Sequence, residues 1–243
     1  TTASGAGDWA LTLPAMKVTT SGSVAMSVIS GTREFDLSNL LVGDVWLCSG
    51  QSNMSWPLVN TDGSKAEIAS AGNADLRVVT TPDTRGSAPW ADLDERAVWQ
   101  SCRPEVAGDF SAVGYYFALN LHSELGVPVG IIRTAWGGKP SEAFTSRETL
   151  SSKPEGKALI EKLDQEMKRF DAGKGKADYK KKLAVWEAIR KTNQAEPDPK
   201  KRAKLGRRPR KPAAPALSPN RPMSIYHGMI HPWVGYAMKG AIW

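Results

Sequence analysis

The chain has 243 residues, 41% of them apolar, enough for one large domain or one and a half ordinary ones with a real core. Its formal charge of +7 is not spread evenly: residues 151–211 hold 20 Lys+Arg against 9 Asp+Glu, and the remainder holds 12 against 16. The basic run from Lys200 to Lys211 has no interleaved aromatics, which argues for a solvated charged surface and against a nucleic-acid reader, and no stretch is long and apolar enough to span a bilayer.

The chain opens on Thr1-Thr2-Ala3-Ser4-Gly5, without an initiating Met or a signal peptide, and reads as starting inside a longer sequence. Residues 9–42 pattern as short antiparallel strands with one face buried: Trp9–Leu13 alternates, Ser23–Val28 alternates, and Phe35-Asp36-Leu37 leads to Leu40-Leu41-Val42. The pattern then changes. Val45-Trp46-Leu47-Cys48 is a continuous apolar run, as in a strand of a parallel sheet, and Ser49-Gly50 breaks it. Leu76-Arg77-Val78-Val79 reads as a second such strand.

The segment from Ala112 to Leu125 is helical, with Val113, Tyr116, Phe117, Asn120 and Leu121 on one stripe and Gly126 as its stop. Val129-Gly130-Ile131-Ile132 is a third strand, closed by Trp136-Gly137-Gly138. Strand, helix and strand joined by glycine turns is α/β order.

Residues 155–192 read as a helical hairpin with its turn at Gly173 and Gly175. Leu159, Leu163, Met167 and Phe170 mark one stripe, and Tyr179, Leu183, Trp186 and Ile189 the other. Residues 195–222 are rich in Pro, Lys and Arg and read as an extended connector. Ala237–Trp243 looks like another buried strand, and a chain that stops there looks truncated. Most of the nine tryptophans are expected in the core, with others free to lie against sugar faces. Cys48 and Cys102 form neither a metal spacing nor a disulfide framework; one bridge or two buried thiols both fit.

A serine becomes a nucleophile on a constrained, exposed turn, with a base for its proton and N–H donors for the oxyanion. Ser52 follows a buried strand, stands behind a glycine and precedes a helical segment, the strand–turn–helix context of a hydrolase nucleophile. The same context also suits an ordinary cap or turn serine. The wider string decides between them. Gly43-Asp44-Val45-Trp46-Leu47-Cys48-Ser49-Gly50-Gln51-Ser52-Asn53-Met54 closely resembles the first block of the sialate O-acetylesterase family, a branch of the SGNH/GDSL hydrolases. Two more stretches resemble later blocks in the right order: Val129–Ile132 with Ala135-Trp136-Gly137-Gly138 and Glu142-Ala143-Phe144, then Asn220-Arg221-Pro222 with Tyr226, Gly228-Met229-Ile230-His231-Pro232 and Lys239–Trp243.

The resemblance implies a flavodoxin-like three-layer α/β/α fold with a parallel sheet. It divides the chain into the end of a β-rich domain over 1–42 and an esterase domain over 43–243, with a charged helical insert at 151–219. It implies a serine carbohydrate esterase that removes O-acetyl groups from sialic acid or related sugars, needing no metal or organic cofactor. Its partner is an acetylated sugar or glycan; neither a nucleic-acid partner nor a membrane span is expected.

Ser52 matches the nucleophile and one oxyanion donor. Gly137 or Gly138 matches the second donor, with Gly138 favoured. Gln51, Asn53, His231 and His227 match site-lining positions, although Gln51 and Asn53 equally suit turn-holding hydrogen bonds. His227 stands where relatives more often have Asn, and Lys139 replaces a small polar residue. The family's glutamine donor and its Asp-x-x-His segment are expected beyond Trp243, so this chain reads as the front part of an esterase, exported to an extracellular or periplasmic location. The alternative is a non-catalytic carbohydrate-binding or scaffold protein on the same fold.

Overall fold

The computed structural model describes Gly5, Leu11 and residues 13–18, 22–170 and 172–243. They fall into two compact units: Thr1–Pro82 with Asp94–Gly138 and Gly235–Trp243, and Asp83–Leu93 with Lys139–Val234.

The first unit begins with an antiparallel ribbon, β1 (Val24–Ser30) on β2 (Arg33–Leu40). The expected buried face is absent: Val24, Ile29, Phe35 and Leu37 are exposed, because no further layer packs on the two strands among the described residues. The strand expected over Trp9–Leu13 rests on Trp9, Ala10 and Thr12, which lie outside the described residues.

The central sheet uses β3 (Asp44–Gly50), β4 (Asn73–Thr80), β5 (Gln100–Cys102), β6 (Val129–Ala135) and β7 (Gly240–Ile242), in the order β5-β4-β6-β3-β7. β3, β4, β6 and β7 run parallel, and β5 joins β4 antiparallel at one edge. The sheet is therefore α/β and mostly parallel, as expected, with one reversed edge strand too short and polar to read from sequence. β7 is a short, half-exposed edge strand and not a buried one, since its outer side meets no further strand among the described residues. Ile131, Ile132, Val79 and Cys48 are fully buried, and each of the three aliphatic side chains contributes about 1.5–3 kcal/mol.

Short helices α1 (Ser52–Ser55), α2 (Ser64–Ser70) and α3 (Pro104–Ala107) precede α4 (Ala112–Leu125). α4 starts where Ser111 Oγ accepts from Gly114 N at 3.1 Å, and it ends at Gly126. Its packed face is Ala112, Gly114, Tyr115 and Ala118, whereas Val113 and Asn120 of the predicted stripe face outward. Small residues win the inner face because the helix lies close to the sheet: a β-carbon on Gly114 would sit 3.3 Å from Ile131 Cγ2.

The second unit holds α5 (Arg147–Ser151), α6 (Pro154–Arg169) and α7 (Ala172–Ala195). Leu150, Ile160, Leu163, Ala216 and Met223 form its core. The break between α6 and α7 follows Arg169, so Gly173 and Gly175 lie inside α7 and not in the turn. A glycine inside a helix costs about 1 kcal/mol. At Gly175 the missing side chain has a use, because a β-carbon there would lie 3.1 Å from Pro212 Cβ. Tyr179, Leu183, Trp186 and Ile189 share the half-buried face of α7, as predicted.

The basic segment after α7 is extended but tied to that helix. Asn193 exchanges two 2.8 Å hydrogen bonds with the backbone of Ala203, and Trp186 Nε1 donates to Gly206 O at 2.8 Å. Of the tryptophans among the described residues only Trp233 is buried, contrary to the expectation that most would be; Trp56 and Trp243 are largely exposed. Both cysteines are free and buried.

Candidate active site

Ser52 is the first residue of α1, two positions beyond the carboxyl end of β3, and it is exposed. The strand ends there because Gly50 takes φ +136, a backbone state that side chains disfavour. Met54 anchors the turn from below: it is buried, with its Sδ 3.5 Å from Ser111 Oγ at the start of α4. Ala112 N donates to Trp56 O at 2.8 Å and Ser55 N to Gln51 O at 2.9 Å, so the segment that carries Ser52 is tied at both ends. Gln51 and Asn53 are exposed beside Ser52.

The neighbouring strand supplies the facing wall. Gly50 pairs with Ala135, so the chain leaves β3 and β6 side by side, and Trp136 N donates to Gly50 O at 3.0 Å. This brings Gly137 against Ser52: a β-carbon on Gly137 would lie 3.4 Å from Ser52 Cα and 3.7 Å from Ser52 N. Gly138 takes φ +68 with open space around it. Two backbone segments rich in N–H groups thus flank an exposed hydroxyl at the carboxyl edge of a parallel sheet, where α/β folds form their crevices. Ser49 and Thr134 support this edge from the interior, with Ser49 Oγ donating to Thr134 O at 3.2 Å.

The Cys48 thiol is not poised as a nucleophile. Burial pushes its thiol up to about 12, which keeps the sulfur protonated at neutral pH.

The three histidines are each oriented by a carbonyl. His122 Nδ1 lies 2.7 Å from Val127 O at the end of α4, a structural tie within the first unit. In the second unit a π-helical turn, Tyr226–Ile230, carries His227 and leads to His231. His227 Nδ1 is 3.2 Å from Gly86 O and His231 Nδ1 is 2.9 Å from Trp90 O. A carbonyl only accepts, so Nδ1 carries the proton and Nε2 holds the lone pair in each neutral ring. Burial holds the His227 pKa below the usual imidazole value, partly offset by the Gly86 hydrogen bond. Among the described residues no group of three or more His, Cys, Asp or Glu side chains could hold a metal ion.

Ser52 and Gly137 are therefore brought together and Gly138 follows them directly, while His227 and His231 stand near each other in the second unit. Sequence reading missed the π-helical turn, whose five residues carry no periodic signal, and the support from Ser49 and Thr134.

No protein-family model matches the chain. It is similar to the sialate O-acetylesterase of Rattus norvegicus, 26% identical over 215 residues, which covers 84% of this chain and 35% of the rat protein. It is 32% identical over 121 residues to the sialate O-acetylesterase of Pongo abelii, covering 47% of this chain and 23% of that protein. Among solved structures it resembles a carbohydrate acetylesterase from Xanthomonas citri with a TM-score of 0.67 and 27% identity, over 98% of this chain and 40% of that one. The chain thus spans well under half the length of these relatives.

Proposed function

We propose, for a chain that belongs to the sialate O-acetylesterase family, that Ser52 is the nucleophile of a serine esterase acting on O-acetylated sugars, sialic acid or a relative among them. One observation carries the reading: an exposed serine stands at the first helical residue after a parallel strand, with Gly137 beside it so closely that a β-carbon there would lie 3.4 Å from Ser52 Cα. The relatives named as acetylesterases support the substrate class.

In this reading Ser52 Oγ attacks the acetyl carbonyl carbon and gives up its proton to a base. The oxyanion that forms is held by the Ser52 N–H and by an N–H of the Gly137-Gly138 segment, donors that need no rearrangement as charge develops. The carbonyl re-forms, the C–O bond to the sugar breaks, and the sugar oxygen takes the proton and leaves as an alcohol. Water then attacks the acetyl-enzyme and releases acetate and free Ser52. Within the second unit, His227 and His231 each keep a fixed tautomer. The chemistry draws on no cofactor, and the family's exported location is part of the same proposal.

The test is acetate release from O-acetylated sialic acid, alongside p-nitrophenyl acetate hydrolysis, by the protein that contains this chain. Ser52→Ala should lower kcat by roughly a thousandfold or more, since members of such a site act as a unit. A Ser52→Ala protein that keeps its wild-type rate would remove Ser52 from the mechanism.

A further inference from the structure

The first unit has a concave feature at the amino edge of the same sheet. A cleft of about 300 Å³ opens where β3, β4 and β6 begin, walled by residues that include Asn39, Asp75, Arg77, Trp99, Gly130 and Tyr236. Ser52 lies past the other end of β3, and a seven-residue strand sets the two places about 20 Å apart.

The side chains of this cleft are placed and not merely near. Asp75 and Arg77 are two residues apart on β4 and so share one face. Arg77 is pinned: Nη2 donates to Asn39 Oδ1 at 2.7 Å and Nε to Ala74 O at 3.0 Å. Asn39 holds its end of that bond from φ +59, a conformation that side chains other than Asn and Asp rarely adopt. Among the described residues nothing pairs with the Asp75 carboxylate, although it is half-buried. The Trp99 indole lies over β6, and glycine is needed beneath it: a β-carbon on Gly130 would be 3.2 Å from Trp99 Cη2 and 3.2 Å from Val45 Cγ2.

We propose that this cleft is a second carbohydrate site, distinct from the Ser52 region, that holds one neutral pyranose ring. The indole and the Tyr236 ring offer flat surfaces for the C–H face of a sugar. The Asp75 carboxylate can accept from two neighbouring hydroxyls, and the N–H groups of Arg77 that Asn39 and Ala74 leave unused can donate to a third oxygen. One carboxylate balances one guanidinium, which favours an uncharged ligand over a phosphate or a carboxylated sugar. Ligand cavities run from about 300 to 1,000 Å³, so this one suits a single ring and no more. Binding here is independent of the esterase reading, whereas its use, retaining a glycan while Ser52 works on it, rests on that reading.

The experiment titrates the chain with methyl β-galactopyranoside, methyl β-glucopyranoside and methyl α-mannopyranoside, followed by tryptophan fluorescence and saturation-transfer NMR. At least one glycoside should bind with Kd in the range of roughly 1–10 mM. Trp99→Ala and the isosteric Asp75→Asn should each weaken it about tenfold or more, and Ser52→Ala should leave it intact. Asp75→Asn keeps the shape of the cleft, so it decides the question even where Trp99→Ala fails to fold. The proposal is overturned if none of the three glycosides binds below roughly 50 mM, if Asp75→Asn binds like wild type, or if Ser52→Ala abolishes binding. Ester hydrolysis measured on the same proteins keeps the two readings separate: glycoside binding without hydrolysis, or the reverse, tells which has failed.

Discussion

Gly137 packs directly on Ser52, with a β-carbon there falling 3.4 Å from Ser52 Cα and 3.5 Å from Ser52 Cβ. Those are ordinary contact distances, and Gly137 does not need the left-handed region, so the backbone tolerates alanine at this position. The added methyl occupies the space beside the Ser52 hydroxyl and N–H. Gly137→Ala should therefore unfold within about 0.5 kcal/mol of wild type but hydrolyse esters some 10²- to 10³-fold more slowly, about the cost of losing one oxyanion donor. Gly138→Ala should behave the other way. Its φ of +68 costs an L-residue roughly 1 kcal/mol, while the space around it is open. Urea denaturation and p-nitrophenyl acetate rates on both variants check the contrast, and identical behaviour would sink the placement of Gly137.

Much of this arrangement was legible in the sequence, for physical reasons. A strand shielded on both faces must be continuously apolar, which is why Val45–Cys48 and Val129–Ile132 stood out. A chain that leaves such a strand sharply needs a glycine, and Gly50 is one. The helix over Ala112–Leu125 was legible in extent but not in orientation, because apolar residues surround it and its inner face is chosen by closeness to the sheet. The glycines at 173 and 175 misled for a related reason: at Gly175 a glycine marks a close approach by Pro212 and not a turn. The cleft around Asp75 and Trp99 left no signal at all, since its walls come from segments far apart in the chain. Tryptophan exposure was also hidden from composition, because an indole half-covered by a neighbouring strand or strap looks no different in sequence from one in the core.

Gly43 offers a test of how tightly β3 is seated. Asp44 N donates to Pro128 O at 2.9 Å, and a β-carbon on Gly43 would fall 2.0 Å from that same oxygen. The methyl cannot fit without moving backbone on one side or the other. Gly43→Ala should cost roughly 3 kcal/mol, at the upper end of overpacking penalties, read as a lower urea midpoint with an unchanged slope. A variant as stable as wild type would mean that the start of β3 is not held as described.

Trp186 holds the basic segment on α7. Its Nε1 donates to Gly206 O, and the guanidinium carbons of Arg190 and Arg208 lie 5.7 and 6.0 Å from its ring centroid. Cation–π contacts at exposed sites contribute about 0.5–1 kcal/mol each, so the tie is modest but local. Trp186→Ala should release the strap and speed trypsin cleavage between Lys200 and Lys211 by roughly five- to thirtyfold, the factor for one to two kcal/mol. Cleavage after residues elsewhere should be unchanged. Equal rates in the two proteins would show that the strap is held by other contacts.

His227 makes a prediction about pH. Burial is the main cause that lowers its pKa below the ordinary 6.5, joined by the nearby charges of His231 and Arg147, while the Gly86 hydrogen bond works in the opposite direction. The unfolded chain therefore takes up this proton at a higher pH than the folded one. Above about pH 6.5 the ring is neutral in both states and contributes no pH dependence. As the pH falls below that value the unfolded state binds more protons, so stability falls, and it continues to fall until the folded-state pKa is passed. His227→Asn removes the titrating group and should flatten this part of the profile, leaving the slope due to carboxylates at lower pH. Urea midpoints measured at roughly half-unit steps from about pH 7.5 to 5 distinguish the outcomes: parallel profiles for the two proteins would mean that His227 is not buried as a neutral ring.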